Sequence, residues 1–104
     1  MFGMEQLMEF MKEEFGLVLK RNEVGEETLI LYHEEIEKEL ISEELLKIVP
    51  NPVSFHTYIY NEKSEWIIGI ALEAASNNSL FLVCLKDGEK IYEEVLFGEK
   101  DNEK

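Results

Sequence analysis

Cysteine is almost absent from this chain, and the single Cys84 excludes an internal disulfide and suits a reducing compartment. Proline occurs only at positions 50 and 52, and glycine six times, too few for a linker-rich or low-complexity chain. No apolar run reaches the 18 or so residues of a membrane span. The start, Met1-Phe-Gly-Met-Glu-Gln6, has glutamate where a secretory signal would have positive charge. A soluble protein of the cytoplasm is therefore expected. Positive charge is also scarce. Ten lysines and arginines face 23 aspartates and glutamates, leaving a net charge of −13 over 104 residues. Such a chain repels nucleic-acid phosphates, which argues against direct binding of DNA or RNA. It favours solubility and fast encounter with basic surfaces. Two readings follow: an acidic protein with a solvated carboxylate surface, or a protein that fills a DNA-binding groove by imitating DNA.

What is present is enough for one core. Apolar residues make up 45% of the sequence and aromatics 11%, at a length typical of one domain. Met4, Leu7, Met8, Met11 and Phe15 recur at helical spacing, and Gly16 stands where a helix C-cap glycine would. Leu17 to Lys20 reads as a short extended piece, and Thr28 to Tyr32 as a strand of aliphatic and β-branched residues. From His33 or Glu34 a second helix is expected, with Ile36, Leu40, Ile41, Leu45 and Ile48 on its apolar stripe and Pro50 and Pro52 ending it.

Beyond Val53 the period becomes two. Val53, Phe55, Thr57 and Ile59 share one face of a strand, and Ser54, His56, Tyr58 and Tyr60 the other. Asn61 to Ser64 is a turn, Trp66 to Leu72 a strand in which Gly69 permits close backbone approach, and Asn77 to Ser79 a further turn. Leu80 to Leu85 is almost wholly apolar and expected to be central. Asp87-Gly88 is a hairpin signal, and Ile91 to Phe97 closes the sheet. The expected fold is α+β: a mainly antiparallel sheet of five strands with two helices, one domain over residues 1–98 and a frayed polar tail over 99–104.

No catalytic or metal motif emerges, and no cofactor is implied. His33 and His56 have no Cys or Asp at ligand spacing. His33 reads as a solvent-facing turn residue, His56 as a strand-surface residue and Cys84 as buried packing. The glycines form no phosphate loop. Exposed carboxylate pairs lack the desolvated pocket that acid–base catalysis requires, so an enzyme is not expected. Glu34 with Glu37, and Glu35 with Glu39, would lie about 5–6 Å apart at Cβ on a helix. That is near the phosphate repeat of a DNA strand. A solvated helix face remains the other reading of those residues.

The segment Glu27-Thr-Leu-Ile-Leu-Tyr-His-Glu-Glu-Ile-Glu37 resembles the first strand and second helix of the phage uracil-DNA glycosylase inhibitor family. Leu7 to Gly16, His56-Thr57, Ile67 to Glu73, Phe81-Leu-Val-Cys84 and Asp87-Gly-Glu-Lys-Ile91 are similar to further family segments in the same order. The resemblance implies a DNA mimic that binds uracil-DNA glycosylase in its DNA groove, as a monomer in a 1:1 complex. It implies that Glu27 and Thr28 on the edge of the first strand meet the enzyme. It implies an apolar pocket, lined by Leu31, Ile36, Leu40, Phe55, Ile68 and Ile70, for the side chain that the enzyme wedges into the base stack. Glu35, Glu73 and Glu89 would be supporting acids. The chain departs from the family at His33 (a proline there), at Lys38 (an acid), at Glu39 (an apolar residue), in its longer second helix and in an acid-free loop over Ser76 to Ser79. An immunity or anti-defence protein that blocks another nucleic-acid enzyme would carry the same acidic surface.

Overall fold

A computed structural model of the chain describes residues 3–73 and 78–96. Its elements run α1 (Met4–Phe15), β1 (Gly25–Leu31), α2 (Glu43–Leu46), β2 (Val53–Glu62), β3 (Ser64–Leu72), β4 (Ser79–Lys86) and β5 (Glu89–Val95). The five strands follow one another as an antiparallel meander in the order β1-β2-β3-β4-β5. The α+β class, the five strands and the two helices are as expected. Residues 97–104, with the anticipated tail, and the loop positions 74–77 lie outside the described residues.

Helix α1 forms where its periodicity places it. The Gly3 N–H donates to Gln6 Oε1 at 2.9 Å, closing the first turn. Gly16, at φ 66°, ends the helix in the left-handed region, its N–H reaching the Lys12 carbonyl at 3.0 Å. Leu7 and Met11 are fully buried against Tyr58, Tyr60, Trp66, Ile68 and Ile70. This is the first core, on one face of the sheet.

The opposite face carries a second core, beneath residues 36–49. Here the expectation of a continuous second helix fails. His33–Glu35 is one 3-10 turn, Ile36 returns to extended backbone, and only the four residues of α2 are α-helical. The expected apolar stripe survives in part as burial: Ile36, Ile41 and Leu45 are below 10% exposed and Leu40 is half-buried, whereas Ile48 is 51% exposed and Val49 is buried in its place. Charge does not explain the break, because a continuous helix would set three like-charge pairs (Glu34–Glu37, Glu35–Glu39 and Glu39–Glu43) against four opposite-charge pairs made by Lys38 and Lys47. Ser42 instead starts a new helix, its Oγ accepting the Leu45 N–H at 3.4 Å, and such a cap contributes about 1 kcal/mol. Leu17 to Lys20 also forms no strand.

His33 departs from its expected solvent-facing role. Its Nε2 lies 2.6 Å from the Pro50 carbonyl, and its backbone N–H donates to Asn51 Oδ1 at 3.0 Å. The half-buried imidazole thus ties together the two ends of the segment covering the second core. Strand β4, expected to be central, is interior, but the middle strand is β3.

Asp87 (φ 52°) and Gly88 (φ 87°) make the turn between β4 and β5 with two successive left-handed residues, the geometry that Asp-Gly favours. The Asp87 carboxylate accepts the Glu65 N–H at 2.9 Å while its own N–H reaches the Glu65 carbonyl at 2.8 Å. The Glu65 N–H, a hydrogen bond from Ser64 and the charge of Lys86 hold the Asp87 carboxyl below its usual value. A depressed folded-state value gives stability that is complete above the unfolded value, near 3.9. That stability is lost as pH falls through the lower folded value. Asp87→Asn keeps the turn preference but not the titration. Between pH 5 and pH 2, the melting temperature of the native chain is expected to fall more steeply than that of Asp87→Asn; parallel curves would show that the carboxylate contributes nothing.

Candidate partner-binding site

Among the described residues, strand β1 is an edge strand, paired only with β2 and exposed along nearly all its length. Its alternation sends Glu27, Leu29 and Leu31 to the face of the second core and Glu26, Thr28 and Ile30 to the other. On the first of these faces lies a pocket of about 180 Å³. Leu29, Leu31, Phe55, Ile67, Val83 and Leu85 contribute its apolar sheet wall, and Ile36, Leu40 and Ile41 its cover. Glu35 and Glu37 stand at its mouth.

Gly69 makes the hollow. It pairs with Thr57 on one side and Val83 on the other, so a position without a side chain sits among side chains on the same sheet face. A Cβ placed there would meet Phe55 Cδ1 at 3.6 Å, an ordinary contact. Gly69 thus leaves space for a guest, and the close backbone approach expected of it is not seen.

Of the residues that the family resemblance suggested for the pocket, Leu31, Ile36, Leu40 and Phe55 line it, with Glu35 at the rim. Ile68 and Ile70 do not. They point to the opposite face, 0% and 1% exposed, in the core under α1. β3 is apolar on both faces, so its own sequence does not reveal which parity faces the pocket. The turn centred on Lys63 does: it pairs Thr57 with Gly69 and Phe55 with Ala71, which puts Ile67 and Gly69 on the pocket side. Glu73, past the end of β3, and Glu89, at the start of β5, are exposed and away from the pocket. Leu29, Glu37, Ile41, Thr57, Ile67, Gly69, Val83 and Leu85 also line the pocket and were not among the expected site residues.

Thr28 faces a second, more polar groove, of about 490 Å³, on the other side of β1. There Glu26 Oε1 lies 3.0 Å from His56 Nε2, and the imidazole packs edge-on against the Tyr58 ring at 4.7 Å between centroids. Burial, with the Glu26 charge added, pushes the Tyr58 hydroxyl up from its ordinary value. His56 is the strand-surface residue expected. Cys84 is fully buried, and burial pushes its thiol up to about 12, leaving no thiolate for nucleophilic use near neutral pH.

The anticipated ladder of helix carboxylates is not formed, because Glu34, Glu35, Glu37 and Glu39 lie on a 3-10 turn and an irregular stretch. Glu35 Oε1 is occupied by the Tyr32 N–H at 2.8 Å, and Lys38 reaches Glu43 at 3.5 Å on the surface. No group of three or more His, Cys, Asp or Glu residues able to hold a metal occurs among the described residues. No described helix is long and apolar enough to cross a membrane. Compared with known proteins, the chain matches no family model, no curated protein and no solved structure.

Proposed function

We propose that this chain is a protein inhibitor of uracil-DNA glycosylase that occupies the enzyme's DNA groove and blocks uracil excision. The observation that carries the reading is the apolar pocket rimmed by Glu35 and Glu37 beside an exposed edge strand bearing Glu27 and Thr28. Enzymes that flip bases push an apolar side chain into the stack and hold the backbone with a basic surface. A pocket of about 180 Å³ suits one such side chain, since apolar cavities of about 150 Å³ take up a benzene-sized guest. Carboxylates around its mouth meet the basic groove, and the net charge of −13 steers the encounter. The chain acts by occupancy and performs no catalysis. It binds the protein and not nucleic acid, one copy to one enzyme.

A second reading, an immunity or anti-defence protein that blocks another nucleic-acid enzyme, is favoured by the missing carboxylate ladder. Dispersed acids match a basic surface in general better than the phosphate path of one duplex.

Mixing the chain with a bacterial uracil-DNA glycosylase is expected to give a 1:1 complex in calorimetry. Glu27→Ala and Thr28→Ala are each expected to weaken it about tenfold, about 1.4 kcal/mol, with an unchanged circular dichroism spectrum. A complex indifferent to both substitutions would remove β1 from the interface, and no complex at micromolar concentrations would overturn the reading.

A further inference from the structure

The two edges of the sheet are treated differently. At β5, the register slips between Cys84 and Leu85, and Lys90 sits in the strand and pairs with Glu93 at 3.4 Å. A bulge and a lysine are features that discourage a further strand. Strand β1 has neither. Its pairing with β2 runs without a slip from Gly25 to Leu31, and it contains no proline, lysine or arginine. Apolar side chains stand exposed on both of its faces: Leu29 is 40% and Ile30 64% exposed, and Tyr32 just beyond is 53% exposed. The outward backbone groups of such a strand form a template for another one, spanning roughly 23 Å at about 3.3 Å per residue.

Charge selects the occupant. Glu27 and Glu34 bracket the apolar stretch, and among the described residues neither enters an ion pair or a side-chain hydrogen bond. A second copy of the chain would bring another −13 to this edge. A cationic segment would bring the missing partners. We propose that β1 binds an extended protein segment as a sixth strand, with apolar or β-branched residues at its centre and Lys or Arg at both ends, about seven residues apart. Backbone pairing supplies the ladder, Leu29 and Ile30 receive the central side chains on the two faces, and Glu27 and Glu34 take the flanking cations. The inference rests on the chemistry of β1 and not on the identity of the enzyme bound.

The test uses the full chain and the synthetic peptide acetyl-Lys-Arg-Val-Thr-Val-Ile-Thr-Lys-Arg-amide, alongside two versions N-methylated at alternate central residues. The parent peptide is expected to bind and to slow hydrogen exchange at alternate β1 amides at least tenfold. One N-methylated version is expected to bind at least tenfold more weakly, its charge being unchanged. Ile30→Lys, at a largely exposed position, is expected to weaken binding at least fivefold with the unfolding midpoint unchanged. Equal binding of all three peptides would show attraction by charge alone and overturn the proposal. So would the absence of binding, or β1 protection that rises with protein concentration without peptide, the mark of a second copy. Uracil excision is read separately, so either result leaves the glycosylase reading to its own assay.

Discussion

Gly69→Leu is expected to cost the chain about 10- to 150-fold in affinity for uracil-DNA glycosylase while leaving the fold as stable or more so. The added side chain would enter the hollow between Thr57 and Val83, with its Cβ in ordinary contact with Phe55. The Gly69 backbone lies outside the left-handed region, so a side chain brings no strain. Glycine in a strand interior is itself about 0.5–1 kcal/mol less favourable than alanine. What is lost is room for the guest. Burying one large apolar side chain contributes about 1.5–3 kcal/mol, which sets the fold-change at about one to two orders of magnitude. Calorimetric titration and a urea melt on the same preparation separate the two effects. Unchanged affinity would mean that the pocket receives nothing from the partner.

The largest loss of stability is expected at Phe81. It is fully buried at the centre of the second core and meets Phe55 edge-to-face at 6.1 Å between ring centroids. Phe81→Ala should cost about 3–5 kcal/mol, from lost burial and the cavity left behind. Domains of this size have about 5–15 kcal/mol in all, so the urea midpoint should fall far without a large change in slope. A loss under about 1 kcal/mol would mean that residues 36–49 collapse onto the gap, and that the second core is looser than its packing indicates.

The two cores differ in how far the sequence discloses them. α1 is legible because one signal suffices: apolar residues three and four apart, ended by Gly16 in the conformation that glycine favours. The Asp87-Gly88 turn is legible for the same reason, since its two residues alone satisfy the backbone. The cover over the second core is not. Ile36, Leu40, Ile41, Leu45 and Ile48 suggest one helical stripe, yet the segment holds a 3-10 turn at 33–35 and a separate short helix capped by Ser42. The periodicity marks Ile36, Ile41 and Leu45 correctly as inside, misplaces Ile48, which is 51% exposed, and does not fix the backbone that carries them.

The site shows a related limit. Leu31, Ile36, Leu40 and Phe55, which the family resemblance implies for the pocket, do line it. β3 is apolar on both faces, and there the resemblance implies Ile68 and Ile70, whereas Ile67 and Gly69 line the pocket. Only the register set by the Lys63 turn distinguishes the two parities. Gly69 also contributes by what it lacks, and a missing side chain leaves no apolar signal to follow. His33 tells the same story, because its bond to the Pro50 carbonyl joins positions that no local pattern connects.

Uracil excision tests the central claim most directly. A fixed amount of bacterial uracil-DNA glycosylase acting on a uracil-containing oligonucleotide is titrated with the chain. Cleavage is expected to fall linearly to zero at one chain per enzyme, with Gly69→Leu shifting the curve to higher concentration. Full excision at a micromolar excess of the native chain would contradict the account.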